Sequence, residues 1–155
     1  MGFTVLPSYA QSGLCILGCA KDSDYILEFR IQEKLHGFST DRYYLYLRPQ
    51  KVAVKQIQIQ PDDNFDGSFN TGSIEVNGKT SQKSFKVASS TWDQEDRNLT
   101  ITLEKPVPAD DEIVVIINQV SNPSAEGIYK LGARILGTEP NPIFRYVGTW
   151  SISID

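Results

Sequence analysis

The sequence predicts an all-β protein, an antiparallel β-sandwich of immunoglobulin-like type with about nine strands. Runs in which every second residue is apolar recur along the chain, and turn residues separate them. Apolar residues do not recur at the spacing of a helix face. The segments between the runs also lack a helical pattern of about ten residues, which argues against the alternating strands and helices of a parallel sheet.

The first half of the chain contains the shorter and less regular apolar runs. They predict strands at residues 25–31, 43–47, 52–59, 74–76 and 85–87. Within the third run the apolar positions change parity, from Val52 and Val54 to Ile57 and Ile59. Because a shift of one residue turns side chains to the other face of a sheet, we expect a β-bulge near Lys55-Gln56.

The second half contains longer and more regular runs, which predict strands at residues 99–103, 113–117, 129–135 and 146–154. The run Ile113–Ile117 is apolar at every position, which is typical of a strand covered on both faces. In the last run, Tyr146 shares its parity with Trp150, so we expect both on one face of the sheet. Between two of these strands, Asn122-Pro123 and Gly127 predict a turn that sets the register of the strand beginning near Tyr129.

Size and charge bound the architecture and the class of partner. The chain has 155 residues, close to the usual size of one domain. Its first charged residue is Lys21, so we divide the chain into an apolar, uncharged arm at 1–22 and a single sandwich domain at 23–155. The arm has fewer than the roughly 20 apolar residues that are needed to span a bilayer. The net charge of −4 argues against nucleic acid as the main partner.

The scarcity of histidine and cysteine restricts the possible chemistry. The one histidine, His36, lies in a polar run and is expected in an exposed loop, not in a catalytic triad. Cys15 and Cys19 are separated by three residues and form a local disulfide, a pair of free thiols or, with the least support, part of a metal site. Since no nucleophile is paired with a base, we predict that the protein is not an enzyme and has no catalytic residues or cofactor.

One acidic stretch has half of a calcium-binding pattern. Asp62, Asn64 and Asp66 alternate and are followed by Gly67, as in the first half of a calcium loop. The position of the bidentate glutamate holds Ser73, however, and the nearest acid is Glu75. The alternative is an exposed turn between two strands, where the same residue types are common.

Aromatic residues provide the candidates for interaction. Tyr43, Tyr44 and Tyr46 follow one another on a single strand, so both of its faces carry aromatic side chains and at least one tyrosine is expected near the surface. Trp92 stands beside Asp93, Glu95 and Asp96, a combination that suggests either a carbohydrate-binding module or, with less support, a glycosidase. A solvated acidic turn explains the carboxylates equally well.

The order of turn and strand motifs in the second half resembles a known family. Lys105-Pro106-Val107-Pro108-Ala109 is followed by Asn122-Pro123, then by Gly127-Ile128-Tyr129-Lys130-Leu131-Gly132, and finally by Tyr146-Val147-Gly148. This order, over residues 40–155, is similar to an uncharacterised secreted family of cyanobacteria and some plastids that is known only as a domain of unknown function. The resemblance implies a β-rich domain in the periplasm, the thylakoid lumen or outside the cell.

The resemblance implies no reaction. It leads us to expect a non-enzymatic accessory or interaction domain, with a protein partner such as the lumenal face of a photosynthetic membrane complex. A carbohydrate-binding module of β-sandwich type is the alternative.

Overall fold

The computed structural model describes residues 25–155, which form two antiparallel sheets of five strands each. The ten strands are β1 (Phe29–Ile31), β2 (Asp41–Leu47), β3 (Val54–Pro61), β4 (Ile74–Gly78), β5 (Lys83–Phe85), β6 (Val87–Asp93), β7 (Asn98–Val107), β8 (Ile113–Val120), β9 (Gly127–Gly137) and β10 (Arg145–Ile154). The predicted antiparallel sandwich is therefore confirmed, with ten strands where about nine were expected.

The first sheet has the strand order β1-β2-β8-β4-β5, and the second has the order β10-β9-β3-β7-β6. The inward-facing residues of both sheets form one hydrophobic core. Trp150 is completely buried there, and its indole N–H donates to the carbonyl oxygen of Tyr46 in the other sheet at 3.0 Å. Within residues 25–155 no helix has the length and apolar character needed to cross a membrane.

The longer predicted strands and the first bulge are confirmed. Tyr129, Leu131, Ala133 and Ile135 all face the core, as the alternation of β9 predicts. The register of β3 against both of its neighbours shifts between Val54 and Gln56, where the change of parity predicted a bulge.

The predicted strand at 85–87 is wrong. Phe85 ends β5 in the first sheet, whereas Val87 begins β6 in the second sheet, so the chain crosses between sheets at Lys86. A similar crossing shortens the predicted strand at 25–31. Ile26 bridges Thr149 of β10, and only Phe29–Ile31 pairs with β2.

Two expectations about faces are also corrected. The register of β10 shifts between Tyr146 and Gly148, which places Tyr146 opposite Arg134 on the outer face, 50% exposed. Trp150, after the bulge, faces the core. In β8, one face is buried in the core, but the face that carries Val114 and Ile116 points away from the second sheet, and Ile116 is only half-buried.

Candidate interaction surface

Four apolar and aromatic side chains lie together on the outer face of the first sheet. Tyr44 of β2 pairs with Ile116 of β8, and Tyr46 pairs with Val114. Both tyrosines and Ile116 are half-buried, whereas Val114 is 7% exposed. We call this group the tyrosine face. Alternation places it there because the odd-numbered residues of β2, such as Leu45, fill the core.

Cationic side chains lie over both rings of the tyrosine face. The guanidinium carbon of Arg30 is 3.9 Å from the centre of the Tyr44 ring, and the Lys79 ammonium is 4.9 Å from the centre of the Tyr46 ring. Both distances are in the range of cation–π attraction. Lys79 also reaches Glu112 at 3.9 Å. The two rings are thereby held in defined positions on the surface.

Arg42 acts on Tyr44 through its hydroxyl group. Its Nη1 donates a hydrogen bond to the Tyr44 hydroxyl at 3.2 Å. This bond lowers the pKa of Tyr44, with a smaller contribution from Arg30, and it raises the pKa of Arg42. In the part of the chain that the structure describes, neither Arg30 nor Arg42 forms a salt bridge. Two guanidinium groups beside a half-buried ring are therefore available to acceptors from outside the chain.

Tyr43 is not part of this surface, which corrects its assignment as an interaction candidate. Its side chain is completely buried, and its hydroxyl donates to Asn122 Oδ1 at 2.6 Å. Burial, and then the nearby charge of Asp41, raise the pKa of Tyr43. The reason is alternation: neighbouring residues of one strand point to opposite faces, so only Tyr44 and Tyr46 point outward. For these two residues the interaction role stays a prediction.

Trp92 also faces inward for most of its surface. Its ring packs edge-on against Phe69 with ring centres 5.5 Å apart, and its indole N–H donates to Gln94. Asp93 Oδ1 accepts the backbone N–H groups of Glu95 and Asp96, at 2.9 and 3.1 Å. The acidic neighbours therefore form the turn between β6 and β7, as the turn interpretation predicted. An interaction role for Trp92 stays untested.

The candidate calcium loop is tied to the chain that follows Asn122. Both oxygens of Asp66 accept hydrogen bonds from Ser124, which lower the pKa of Asp66. Asp62 accepts the N–H groups of Asn64 and Lys130. Among residues 25–155, no three His, Cys, Asp or Glu side chains are grouped in a way that could hold a metal ion. Calcium binding at Asp62, Asn64 and Asp66 stays a prediction.

The remaining sequence candidates lie apart from the tyrosine face. His36 is exposed in a turn, and its Nδ1 lies 2.8 Å from the carbonyl oxygen of Asp155. Cys15, Cys19 and the arm at 1–22 fall outside the described residues.

Sequence patterns missed the residues that complete the site. Arg30, Lys79 and Ile116 come from three strands or their ends, and only the pairing register brings them to the tyrosines. The one available signal was the run of apolar residues at 113–117, which leaves an apolar face to be covered on either side of the strand.

Comparison with known proteins places the sequence in a family. The family described as protein of unknown function (DUF2808) matches residues 20–154. The chain belongs to this family. The match confirms the expectation of an uncharacterised domain-of-unknown-function family, and it assigns no activity. A search of curated proteins gave no match.

One solved structure supports the fold of this DUF2808 protein, and two others show a weaker likeness. An uncharacterized protein from Nocardia farcinica with an immunoglobulin-like fold has a TM-score of 0.50 at 9% identity, over 84% of this chain and 98% of that chain. Domains D2 and D3 of the major pilin SpaD from Corynebacterium diphtheriae have a TM-score of 0.49 at 12% identity, over 79% of this chain and 50% of that chain. A collagen-binding domain from a Staphylococcus aureus adhesin has a TM-score of 0.41 at 10% identity, over 75% of this chain and 87% of that chain. At these identities, the likeness to the first structure concerns the fold alone.

Proposed function

We propose that this chain is a non-enzymatic interaction domain that binds a protein partner through the tyrosine face. The observation that carries the proposal is the outward-facing side of β8 and β2, where Tyr44, Tyr46 and Ile116 are half-buried and cationic groups lie over both tyrosine rings. The sandwich at 23–155 is the binding unit.

The composition of this face suits a protein interface. Tyrosine and arginine are enriched at interface hot spots because each combines a large contact area with hydrogen-bonding groups. Ile116 is a β-branched apolar residue at the centre of a sheet, and burying the rest of its surface would be favourable by about 25 cal/mol per Å². The cation–π contacts already restrict the two tyrosine side chains in the free protein, so these side chains lose less conformational entropy on binding.

The charges indicate the chemistry of the partner. Arg30 and Arg42 flank Tyr44 and form no salt bridge within residues 25–155, although the whole chain has a net charge of −4. A partner surface with carboxylates beside apolar side chains would pair with both guanidinium groups and cover Ile116. The partner is therefore a protein with an acidic rim around an apolar patch.

A finer form of the proposal concerns location. The resemblance of residues 40–155 to a secreted cyanobacterial and plastid family supports a periplasmic, extracellular or lumenal protein docked on a membrane complex, such as a photosynthetic one. Fractionation of the native source, with the chain detected by antibody, tests this location. Recovery with membrane complexes after their solubilisation is expected, and recovery in the cytosol would contradict it.

Site-directed photo-crosslinking tests the proposed surface. A photoreactive phenylalanine analogue replaces Tyr46 in one variant and Thr102 in the control variant, whose side chain is on the outer face of the other sheet. We expect a discrete crosslinked product from position 46 in native cells and none from position 102. Mass spectrometry of the product should identify residues near partner carboxylates. Crosslinks from position 102 alone would contradict the proposal.

A further inference from the structure

A groove lies on the outer face of the second sheet, on the opposite side of the molecule from the tyrosine face. Its volume is about 400 Å³, and its walls come from β10, β9 and the end of β3. Gly132 lies at its floor, where the missing side chain leaves a depression between Thr149 and Gln60, its partners in the two neighbouring strands. This volume is within the range of small-ligand clefts, roughly 300–1,000 Å³.

One wall of the groove is an aromatic ring that stacks with a second ring. The bulge at Val147 turns Tyr146 outward, where it is 50% exposed and lines the groove. Tyr25 stacks on the Tyr146 ring, with centres 5.6 Å apart and planes 20° apart. The Tyr146 hydroxyl also shares a hydrogen bond with Thr149 Oγ1. The ring is thus ordered before any ligand arrives, which reduces the entropy lost on binding.

The polar groups of the groove are balanced in charge. Lys130 and Arg134 flank Gly132 on β9, while Asp62 and Asp63 lie at the end of β3. Within the described residues, the Lys130 and Arg134 side chains form no salt bridge or hydrogen bond. Two cations and two carboxylates leave no net charge in the groove. The groove therefore offers hydrogen-bond donors and acceptors to a ligand, but its charge favours neither an anionic nor a cationic ligand.

We infer that this groove binds a neutral oligosaccharide, with a sugar ring stacked on Tyr146 over Gly132. A sugar presents an apolar C–H face and a rim of hydroxyl groups, each of which donates and accepts. The C–H face suits the exposed ring of Tyr146, and the hydroxyl groups suit Arg134, Lys130, Gln60 and Asp63. The absence of net charge favours a neutral sugar over a charged one. This binding is separate from the proposed protein docking, because the two sites are on opposite outer faces.

The test uses the substitution Gly132→Val, which fills the groove. A Cβ at residue 132 would have Gln60 O as its nearest neighbour at 3.6 Å, an ordinary contact, and valine favours β-strands. The variant should keep its melting temperature. The full chain is titrated with neutral tetrasaccharides of glucose, mannose and galactose, and binding is followed by NMR chemical shifts. We expect wild-type shifts around Thr149 and Arg134, and at least about tenfold weaker binding for Gly132→Val.

Three further samples make the result decisive. Thr102→Val places the same side chain on the same outer face beyond the groove and should bind as wild type does. Tyr146→Ala should weaken binding about tenfold. Tyr44→Ala should leave sugar binding unchanged, which separates this inference from the protein-docking proposal. Shifts absent with all the neutral sugars, unaltered binding by Gly132→Val, or a preference for uronic-acid oligomers or peptides would overturn the inference.

Discussion

The side chain of Asn122 connects its own turn to the stretch from Leu35 to Tyr43, which lies 79 to 87 residues earlier in the sequence. Its Nδ2 donates to the buried carboxylate of Asp41 and to the carbonyl oxygen of Leu35, and its Oδ1 accepts from Tyr43. Asp41 also accepts the backbone N–H groups of Glu33 and Lys34. The sequence predicted a turn at Asn122-Pro123, but it contained no sign that the asparagine side chain is the centre of a buried polar network.

Replacing Asn122 should therefore lower the free energy of unfolding by more than replacing an ordinary turn residue would. In Asn122→Ala, the buried Tyr43 hydroxyl loses its acceptor and the Asp41 carboxylate loses one donor, so the free energy of unfolding should fall by about 3 kcal/mol. Tyr43→Phe leaves only Asn122 Oδ1 unpaired and should cost about 1.5 kcal/mol. Urea unfolding of both single variants and the double variant measures these values. Costs that simply add would show that the two side chains are not coupled.

Asp111 performs a similar task between β7 and β8. Its carboxylate accepts the backbone N–H groups of Thr80 and Ser81 and the hydroxyl of Ser81, which fastens the β4–β5 turn. Desolvation alone would raise the pKa of Asp111, but these hydrogen bonds outweigh it and lower the pKa. A carboxyl group whose pKa is lower in the folded state than in the unfolded state stabilises the fold at pH values above its unfolded pKa. This contribution is lost as the pH falls through the folded pKa.

Asp111→Asn should consequently show a pH-dependent loss of stability. At neutral pH the variant should be less stable than wild type, because the amide is a weaker acceptor and adds donors beside two N–H groups. The difference in stability between wild type and Asp111→Asn should narrow as the pH falls below about 4, the ordinary pKa of aspartate. Thermal unfolding between neutral and acidic pH measures it. A difference that stays constant over this range would contradict the assignment.

The long strands show how much of the fold could be predicted from sequence. Alternation at 99–103, 129–135 and 146–154 identified β7, β9 and β10, each of which extends beyond the predicted run, and a change of parity located the bulge at Val54 and Gln56. The errors at 25–31 and 85–87 have one cause. In both places the chain leaves one sheet for the other while the apolar pattern continues, since the apolar residues beside the crossing, such as Leu27, Phe85 and Val87, still pack against the shared core. Pattern alone cannot locate such a crossing.

The bulge in β10 depends on Gly148, which follows the extra residue. Gly148 has a φ of +151°, and a Cβ there would lie 2.6 Å from Leu27 Cγ. Gly148→Ala should destabilise the fold by about 2–3 kcal/mol because a buried side chain would have to move. Gly132→Ala, at the residue paired with the adjacent Thr149, is the matched control and should change stability by less than about 0.5 kcal/mol. Equal melting temperatures for the two variants would contradict this account of the bulge.

At the scale of the whole molecule, the two outer faces differ in kind. One carries the tyrosine face, and the other carries the polar groove over Gly132. The sequence pointed to Tyr44 and Tyr46 because three tyrosines lie within four residues. It did not identify Arg30, Lys79 or Arg134, since each belongs to its site only through strand pairing. The bulge that turns Tyr146 outward was equally hidden, because Tyr146 keeps the parity of the buried residues.

The affinity of the crosslinked partner for variants of the tyrosine face tests the central claim most directly. The partner identified from position 46 is purified and titrated with wild type, Tyr44→Ala and the control Thr102→Val, after thermal unfolding shows that the variants are folded. Tyr44→Ala removes a ring together with its contacts to Arg30 and Arg42, so we expect binding to weaken at least about tenfold, with Thr102→Val unchanged. Equal affinity for wild type and Tyr44→Ala would contradict the claim that this face is the binding surface.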